Sequence, residues 1–527
     1  MTVLANGWVK RVSITPPSLK DNTADADRLE NALKAVLNAE IADIDLTLSG
    51  KLPELLRKND FNLRCILFKD HKKWCLAGIT GNDNKIVAGL AVDLGTTTVV
   101  LRLLDLSTGR TMAGYSFANP QISIGPDILT RIHFAEKESG LETLNGLIID
   151  GLNRAITELC RSCDISSSGI YLISVAGNTA MTHLFLGLNP RFLIREPYIP
   201  VINRPGCLNA RELGINANQS AKAFVFPNTG SYFGGDLIAG ILYSGLNRDE
   251  KTAILVDVGT NAEVVLGNKN WLVACAGAAG PALEGGVTKM GMMAGPGVID
   301  KVSVDSETGL FSIHTIEGLP PRGICGSGVI DLAAALFLSG MIDIRGKFVP
   351  AACKTRLMDK DGSKHFVLIP ANASAEGNDL SISQADIDSL IRSKAAMYTI
   401  LETISSYVGI SLSELSTFYV AGTFGSLINP RSAITIGMLP DLPEGTYKSI
   451  GNSSLEGASM ILRDCRLMDE IDAIRNSITY IELNVNQDFM NRFSAAGFLP
   501  HTNLSLFPSV SSDGLAKSQN SDGKVKS

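Results

Sequence analysis

From Ile86 onward the chain is organised as short apolar runs, each closing on a polar turn. Val87–Val92 is one such run. It is followed by Asp93-Leu94-Gly95-Thr96-Thr97-Thr98 and a returning run, Val99–Leu104, which turns again at Asp105–Gly109. Two apolar runs around a turn rich in Gly and Thr predict a hairpin. The pattern recurs as Ala253–Val256, the turn Asp257-Val258-Gly259-Thr260-Asn261, and Ala262–Leu266. Asp93 and Asp257 lie 164 residues apart, which fits two related lobes that each open on a hairpin. Between them, Leu141–Cys160 predicts a helix, and Ile170–Val175 a strand that ends in Ala176-Gly177-Asn178-Thr179 and a further helix. Later, Gly323–Gly328 opens a helix, Lys354–Asn378 reads as a loop, Gln384–Val408 as a helix and Thr417–Val420 as a strand. Ahead of the first hairpin, Asp25–Leu37 has helical spacing with Leu29, Leu33 and Val36 on one face, while Cys65–Phe68 and Trp74–Ile79 read as strands. The expected organisation is a small N-terminal α/β domain over 1–85, lobes over 86–250 and 251–509, and a disordered tail over 510–527.

Composition narrows the classes. The chain has 527 residues, of which 45% are hydrophobic and 19% charged, so it can build a packed core. The net charge is −6 and no basic stripe is present, which argues against nucleic acid as a partner. The first residues, MTVLANGWVKRVSITPPS, contain no signal-peptide core. The best membrane candidate, Val329–Ile342, falls short of the roughly 18 apolar residues a span needs and carries Asp331, so it reads as a buried helix. Nine scattered cysteines suggest free thiols in a reducing compartment, hence a cytoplasmic protein.

The two turns carry the clearest chemistry. Glycine lets a backbone approach a phosphate closely, and converging N–H groups and Thr hydroxyls donate to its oxygens. A carboxylate at the strand end can hold Mg²⁺. Asp93 with Gly95, Thr96, Thr97 and Thr98, and Asp257 with Gly259, Thr260 and Asn261, both supply this set. Either turn alone is more often an ordinary hairpin; two copies between apolar strands point to ATP and Mg²⁺. Glu263 is a second carboxylate for water or metal, or an exposed strand residue. Gly422, Thr423 and Gly425 follow a strand, as an adenosine loop would. Gly326, Ser327 and Gly328 open a helix and can present N–H donors to an anion. Asp236 begins another helix, either facing a γ-phosphate or serving the helix end. There is no Walker A sequence. Cys160-Arg161-Ser162-Cys163 has the form of a redox or metal half-site, but no second CxxC exists, so two incidental thiols are the better reading. His183 reads as a packed helix residue. The expected fold class is α/β, an actin-like ATPase of two ribonuclease H-like lobes around a nucleotide cleft, preceded by a small α/β domain.

Several longer strings carry a family resemblance. They are Ile14-Thr15-Pro16-Pro17-Ser18-Leu19-Lys20-Asp21-Asn22 with Asp27-Arg28-Leu29, Ala91–Thr98, Ala176–Met181, Gly234-Gly235-Asp236, Asp257–Glu263, Gly280–Gly285, Ile324–Gly328, Val420–Gly425, Ala433–Leu442 and Gly451–Leu455. In these the chain resembles the reductive activators of corrinoid-dependent enzymes, ATPases of the actin, sugar-kinase and heat-shock-chaperone superfold. The resemblance implies ATP-dependent reduction of Co(II) to Co(I) on a corrinoid protein or corrinoid-dependent methyltransferase, and a homodimer. It also shows departures. Typical members carry a ferredoxin-like domain with four cysteines, or clusters at the C-terminus. Here about a dozen residues precede the Pro-Pro-Ser-Leu string, and no cysteine follows Cys465. The adenosine-side turn reads Ala-Gly-Thr-Phe-Gly in place of Gly-Gly-Phe-Gly. The expectation is a chain without an iron–sulfur cluster, taking electrons from a separate ferredoxin or flavodoxin. A non-redox ATPase that binds or remodels a corrinoid protein is the alternative, and a small-molecule kinase with Asp236 as base is a third.

Overall fold

The structure is a computed structural model that describes residues 4–39, 44, 46–70, 73–81, 85–259, 261–278, 288–305, 308–360, 362–422, 428–483 and 487–511. The chain forms two compact units. Unit 1 comprises Met1–Gly245 and Ser453–Ile478; unit 2 comprises Leu246–Asn452 and Thr479–Ser527.

Unit 1 begins with a three-stranded antiparallel sheet, β1 (Val9–Ser13), β2 (Asn62–Asp70) and β3 (Lys73–Thr80), in that spatial order. The helix Asp25–Leu37 buries Leu29 and Leu33, and the helix Leu46–Lys58 buries Leu48, Leu52 and Leu56. These side chains recur every three to four positions, so one apolar stripe on each helix meets one core. Trp8 is fully buried. It stacks on Phe68 at 5.1 Å, meets Trp74 edge-on at 6.2 Å, and donates from Nε1 to the Ile461 carbonyl at 2.6 Å.

The rest of unit 1 is built on a six-stranded sheet of β4 (Ala88–Leu94), β5 (Thr98–Asp105), β6 (Thr111–Ala118), β7 (Ile170–Gly177), β8 (Gly206–Asn209) and β9 (Lys222–Val225), ordered β6-β5-β4-β7-β9-β8. β4 runs antiparallel to β5 and parallel to β7; β5 runs antiparallel to β6 and β7 parallel to β9. The apolar face of the helix Gly140–Ser162 packs on this sheet through Leu144, Ile148, Leu152, Ile156 and Leu159.

Unit 2 repeats the scheme with β10 (Ala253–Val258), β11 (Asn261–Asn268) and β12 (Trp271–Ala278). It adds a small sheet of β13 (Val298–Val304), β14 (Phe311–Thr315) and β15 (Gly323–Ile324), and another of β16 (Leu357–Lys360), β17 (Ser363–Ile369) and β18 (Leu380–Ser383). The main sheet is completed by β19 (Thr417–Ala421), β20 (Tyr447–Gly451) and β21 (Ile478–Ile481), in the order β20-β19-β10-β11-β12-β21. β10 is antiparallel to β11 and parallel to β19; β11 is antiparallel to β12 and β19 parallel to β20. Five strands repeat the order and direction of unit 1, β10, β11, β12, β19 and β20 standing where β4, β5, β6, β7 and β9 do, as the two Asp-x-Gly turns led one to expect; the sixth strand differs, β8 pairing with β9 in unit 1 and β21 with β12 in unit 2.

Two sequence expectations are corrected here. Lys354–Asn378 is not a plain loop: β16 and β17 pair antiparallel within it. The apolar run Val329–Ile342 is a buried helix only as far as Leu338, within Gly326–Leu338. The chain leaves the helix at Gly340, whose φ of +69° is readily available to glycine, and Ile342 bridges to Phe348 instead. The part of the expected tail from 512 onward lies outside the described residues. No helix among the described residues is long and apolar enough to cross a membrane.

The helix Ser453–Arg463 of unit 1 lies against β4, β7 and the helix Gly235–Ser244. Gly457 is the point of closest approach: a Cβ there would sit 2.2 Å from the Ala239 carbonyl oxygen. That neighbour is helix backbone and cannot rotate away. Gly457→Ala should therefore destabilise unit 1 by about 1–3 kcal/mol, the usual cost of overpacking. A chemical denaturation midpoint indistinguishable from wild type would refute this.

Candidate functional site

In unit 1 the first candidate turn sits where β4 ends and β5 begins. Asp93 is half-buried at the end of β4 and accepts a hydrogen bond from Ser454 Oγ at 2.9 Å. Gly95 makes the turn: a Cβ there would fall 2.3 Å from the Thr98 carbonyl oxygen, so only glycine fits. The backbone of the turn is fastened from one side. Asn119 Nδ2 donates to the Gly95 carbonyl at 2.9 Å, and the Asn119 N–H to the Thr97 carbonyl at 2.8 Å. Arg131 donates to the Thr96 carbonyl at 2.7 Å. The Thr97 side chain is exposed.

β7 delivers a second set of groups. Its parallel register places Leu94 beside Gly177, so Asn178 emerges next to the turn. Asn178 Oδ1 accepts from the Met181 N–H at 2.9 Å, capping the helix Thr179–Phe185, and its Nδ2 donates to Thr96 Oγ1 at 3.0 Å. The helix carrying Asp236 starts against the same point. A Cβ on Gly234 would lie 2.4 Å from Asn178 Cα and 2.6 Å from Asp236 Oδ1. Asp236 is the second residue of the helix Gly235–Ser244 and Gly234 is its cap; the Asp236 carboxylate accepts from the Leu237 N–H at 2.9 Å. Thr96 and Asp236 thus lie beside Asn178, while Asp93 stands at the end of β4 beside Ala176.

In unit 2 the sheet register does the gathering. Asp257 lies opposite Glu263 across β10–β11 and beside Ala421 across β10–β19. Gly422 follows with φ +82°, and a Cβ there would approach Asp257 Oδ1 to 3.0 Å. Gly259 is exposed at the turn, and Asn261 opens β11. Thr260, Thr423 and Gly425, and the Gly280–Gly285 string, lie outside the described residues.

The Gly326-Ser327-Gly328 segment does open a helix, but it is buried against β13. Ser327 Oγ donates to the Asp300 carbonyl at 3.0 Å, and a Cβ on Gly328 would lie 2.6 Å from the Ile299 carbonyl oxygen. Both residues meet helix-to-strand packing needs. In the same helix Asp331 is buried, with one oxygen accepting from the Val302 N–H at 3.3 Å; burial holds its carboxyl above the ordinary value.

Cys160 and Cys163 are free thiols at the end of the helix Gly140–Ser162, with Cys160 buried and its thiol pushed up by burial. His183 is buried, with Nδ1 at 2.7 Å from the Thr179 carbonyl and Nε2 accepting from the Val201 N–H at 3.0 Å. Those two partners fix a neutral tautomer with the proton on Nδ1, and burial lowers its pKa accordingly. It packs; it is not placed as a base. Residue-type reasoning did not single out Asn119, Asn178 and Ser454 as site residues. Asn178 carried a signal, the strand-then-Gly-Asn-Thr end of β7, and Ser454 fell within the Gly451–Leu455 string of the resemblance.

A glycine cradle fixed by side chains behind it, with a carboxylate at the strand end, fits a nucleotide phosphate. Among the described residues no group of three or more His, Cys, Asp or Glu side chains is placed to hold a metal ion. The strand-end carboxylate beside the turn is the kind of donor Mg²⁺ takes, which binds through one or two carboxylates together with phosphate oxygens.

Two sheets that share a five-strand order, each with an aspartate at the end of its first strand, are the pattern of the ASKHA class of nucleotide-dependent proteins. Residues 251–511 match the family described as the C-terminal domain of RACo, the ASKHA domain; residues 88–249 match the RACo middle region and residues 8–85 the RACo linker region. The chain belongs to the RACo family. It is 34% identical over 417 residues to the corrinoid activation enzyme RamQ of Eubacterium limosum, covering 78% of this chain and 70% of that protein. It is 23% identical over 438 residues to the [Co(II) methylated amine-specific corrinoid protein] reductase of Methanosarcina barkeri, covering 76% of this chain and 75% of that protein. A solved structure of a reductive activator for corrinoid, iron-sulfur protein superposes with a TM-score of 0.86 at 38% identity, over 96% of this chain and 81% of that one.

Proposed function

We propose that this protein hydrolyses ATP to drive reduction of a corrinoid protein from Co(II) to Co(I). The observation that carries the reading is the paired turn, Asp93–Thr98 and Asp257–Asn261, set in a chain whose matched relatives are named for corrinoid activation and corrinoid-protein reduction. Electrons come from a separate low-potential ferredoxin or flavodoxin, Mg²⁺ accompanies the nucleotide, and the protein works in the cytoplasm as a homodimer.

In this reading, ATP supplies the free energy of phosphoryl transfer to water. The chain's own groups position and neutralise. Thr96, Thr97 and Thr98 offer N–H and hydroxyl donors to phosphate oxygens, with Asn178 orienting the Thr96 hydroxyl. Asp93 and Asp257 hold the magnesium side, and Glu263, across from Asp257, orients the attacking water. Asp236 starts its helix beside Asn178, which bonds to Thr96. Hydrolysis helps the reduction only because the nucleotide states bind the corrinoid partner differently.

The test combines purified protein, a Co(II) corrinoid protein, and a low-potential ferredoxin with its reductant, and follows Co(I) by its absorbance with and without ATP. ATP-dependent Co(I) supports the reading. Corrinoid-stimulated ATP hydrolysis without Co(I) would replace it with non-redox remodelling of the same partner.

A further inference from the structure

Arg131 lies on the helix Ile128–Ala135 and is fully buried. All its hydrogen-bond acceptors are neutral. Nε donates to the Gly125 carbonyl at 2.9 Å, Nη1 contacts Gln121 Oε1 at 3.1 Å and Met181 Sδ at 3.2 Å, and Nη2 donates to the Thr96 carbonyl at 2.7 Å. Among the described residues no carboxylate pairs with it. Asp127 attracts it through space, but the Asp127 oxygens accept from the Thr130 N–H and Oγ1, each at 2.8 Å. Burial pushes the guanidinium pKa down to about 10, so it stays charged at neutral pH.

A buried cation facing only neutral acceptors is expensive to keep. Its place suggests why it is kept. In a trans peptide the carbonyl of one residue and the N–H of the next point in opposite directions. Arg131 fixes the Thr96 carbonyl inward, which turns the Thr97 N–H outward, and Thr97 is exposed. Asn119 does the same one residue earlier: it holds the Gly95 carbonyl, so the Thr96 N–H also turns outward. Consecutive outward N–H groups in a Gly-containing turn form an anion-binding concavity. The cation behind that concavity adds attraction, which Asp127, bonded to Thr130, offsets only through space.

Resting on the nucleotide reading above, we infer that Arg131 is a positioning residue for the phosphate turn. It locks the turn with its N–H groups outward and supplies the positive potential behind them, so that the nucleotide phosphates become its counter-charge.

The experiment measures binding of ATP and of adenosine, each with Mg²⁺, by titration calorimetry to wild type, Arg131→Met, Arg131→Lys and Gln121→Glu. Arg131→Met should weaken ATP by about tenfold or more, the range for losing a charged hydrogen-bonding group, and leave adenosine unchanged. Arg131→Lys keeps the charge but loses the fork, so its loss should be smaller yet still selective for ATP. Gln121→Glu gives the guanidinium a carboxylate in place of an amide oxygen at 3.1 Å. It should weaken ATP several-fold while the protein still melts cooperatively; a purely structural arginine predicts no such loss. If Arg131→Met does not fold, the Lys and Glu variants decide. Wild-type ATP affinity in those two, or equal losses for ATP and adenosine, overturns the assignment while the nucleotide reading stands. A wild type that does not bind ATP at millimolar concentration overturns both.

Discussion

Asp257→Ala should lower the rate of ATP-dependent Co(I) formation by on the order of 100-fold or more, the scale seen when a group that stabilises transition-state charge is removed. The carboxylate lies at the end of β10, opposite Glu263, and the chain beyond β19 passes close to it: a Cβ on Gly422, whose φ is +82°, would stand 3.0 Å from Asp257 Oδ1. The apolar residues on either side, Val256 and Val258, carry the local packing, so truncation at Asp257 leaves the core of unit 2 intact. Loss of function without loss of fold is the signature sought: a melting temperature within a few degrees of wild type, with cobalt reduction gone. A variant that still reduces the corrinoid at the wild-type rate would remove Asp257 from the site. One that reduces slowly but unfolds early would make its role structural.

The largest effect on stability is expected at Trp8. Trp8→Ala should cost about 3–5 kcal/mol, as truncating a buried large aromatic residue does. The indole is fully buried, stacks on Phe68, and bonds to the carbonyl of Ile461. Phe68 in turn lies 6.3 Å from Phe224 of β9. One side chain therefore ties the N-terminal sheet to the six-stranded sheet and to the helix whose Ser454 bonds to Asp93. Trp8→Phe keeps most of the volume but orphans the Ile461 carbonyl, which should cost about 1–3 kcal/mol. Urea unfolding followed by circular dichroism measures both. A Trp8→Ala change below about 1 kcal/mol would mean that the N-terminal sheet is held by other contacts.

Much of this architecture was legible from pattern alone where burial is one-sided or complete. The helix Asp25–Leu37 was legible from Leu29 and Leu33, although Val36, set on the same face, is exposed; Gln384–Val408 was legible too, and the structure frames it with the Ser383 cap and Gly409. The two hairpins were legible because apolar strands flank a Gly-Thr turn in each. β6 was not, because Thr111–Ala118 is an edge strand with little burial and so no alternation to find. β16 was hidden for a related reason, because the exposed residues of Leu357–Lys360 look like loop, whereas β17 buries Phe366, Leu368 and Ile369 and its apolar run was legible but passed over. In the site, the carboxylates and glycines could be named because their chemistry requires those residue types. Arg131 and Asn119 could not. Each acts through backbone carbonyls of a turn distant in sequence, and only the fold brings them there.

The two-ended construction of unit 1 also bears on how the protein is made. Its sheets come from the first 245 residues, yet the helix that lies against β4 and supplies Ser454 belongs to Ser453–Ile478. On the ribosome, the strand bearing Asp93 emerges long before its partner and must wait through the synthesis of unit 2's first 207 residues, Leu246–Asn452. Domains otherwise tend to fold in order as they appear. Here the nascent first unit is left with an apolar seam uncovered, a natural client for a holding chaperone. A gene split near residue 250 would yield an N-terminal half that never closes that seam by itself.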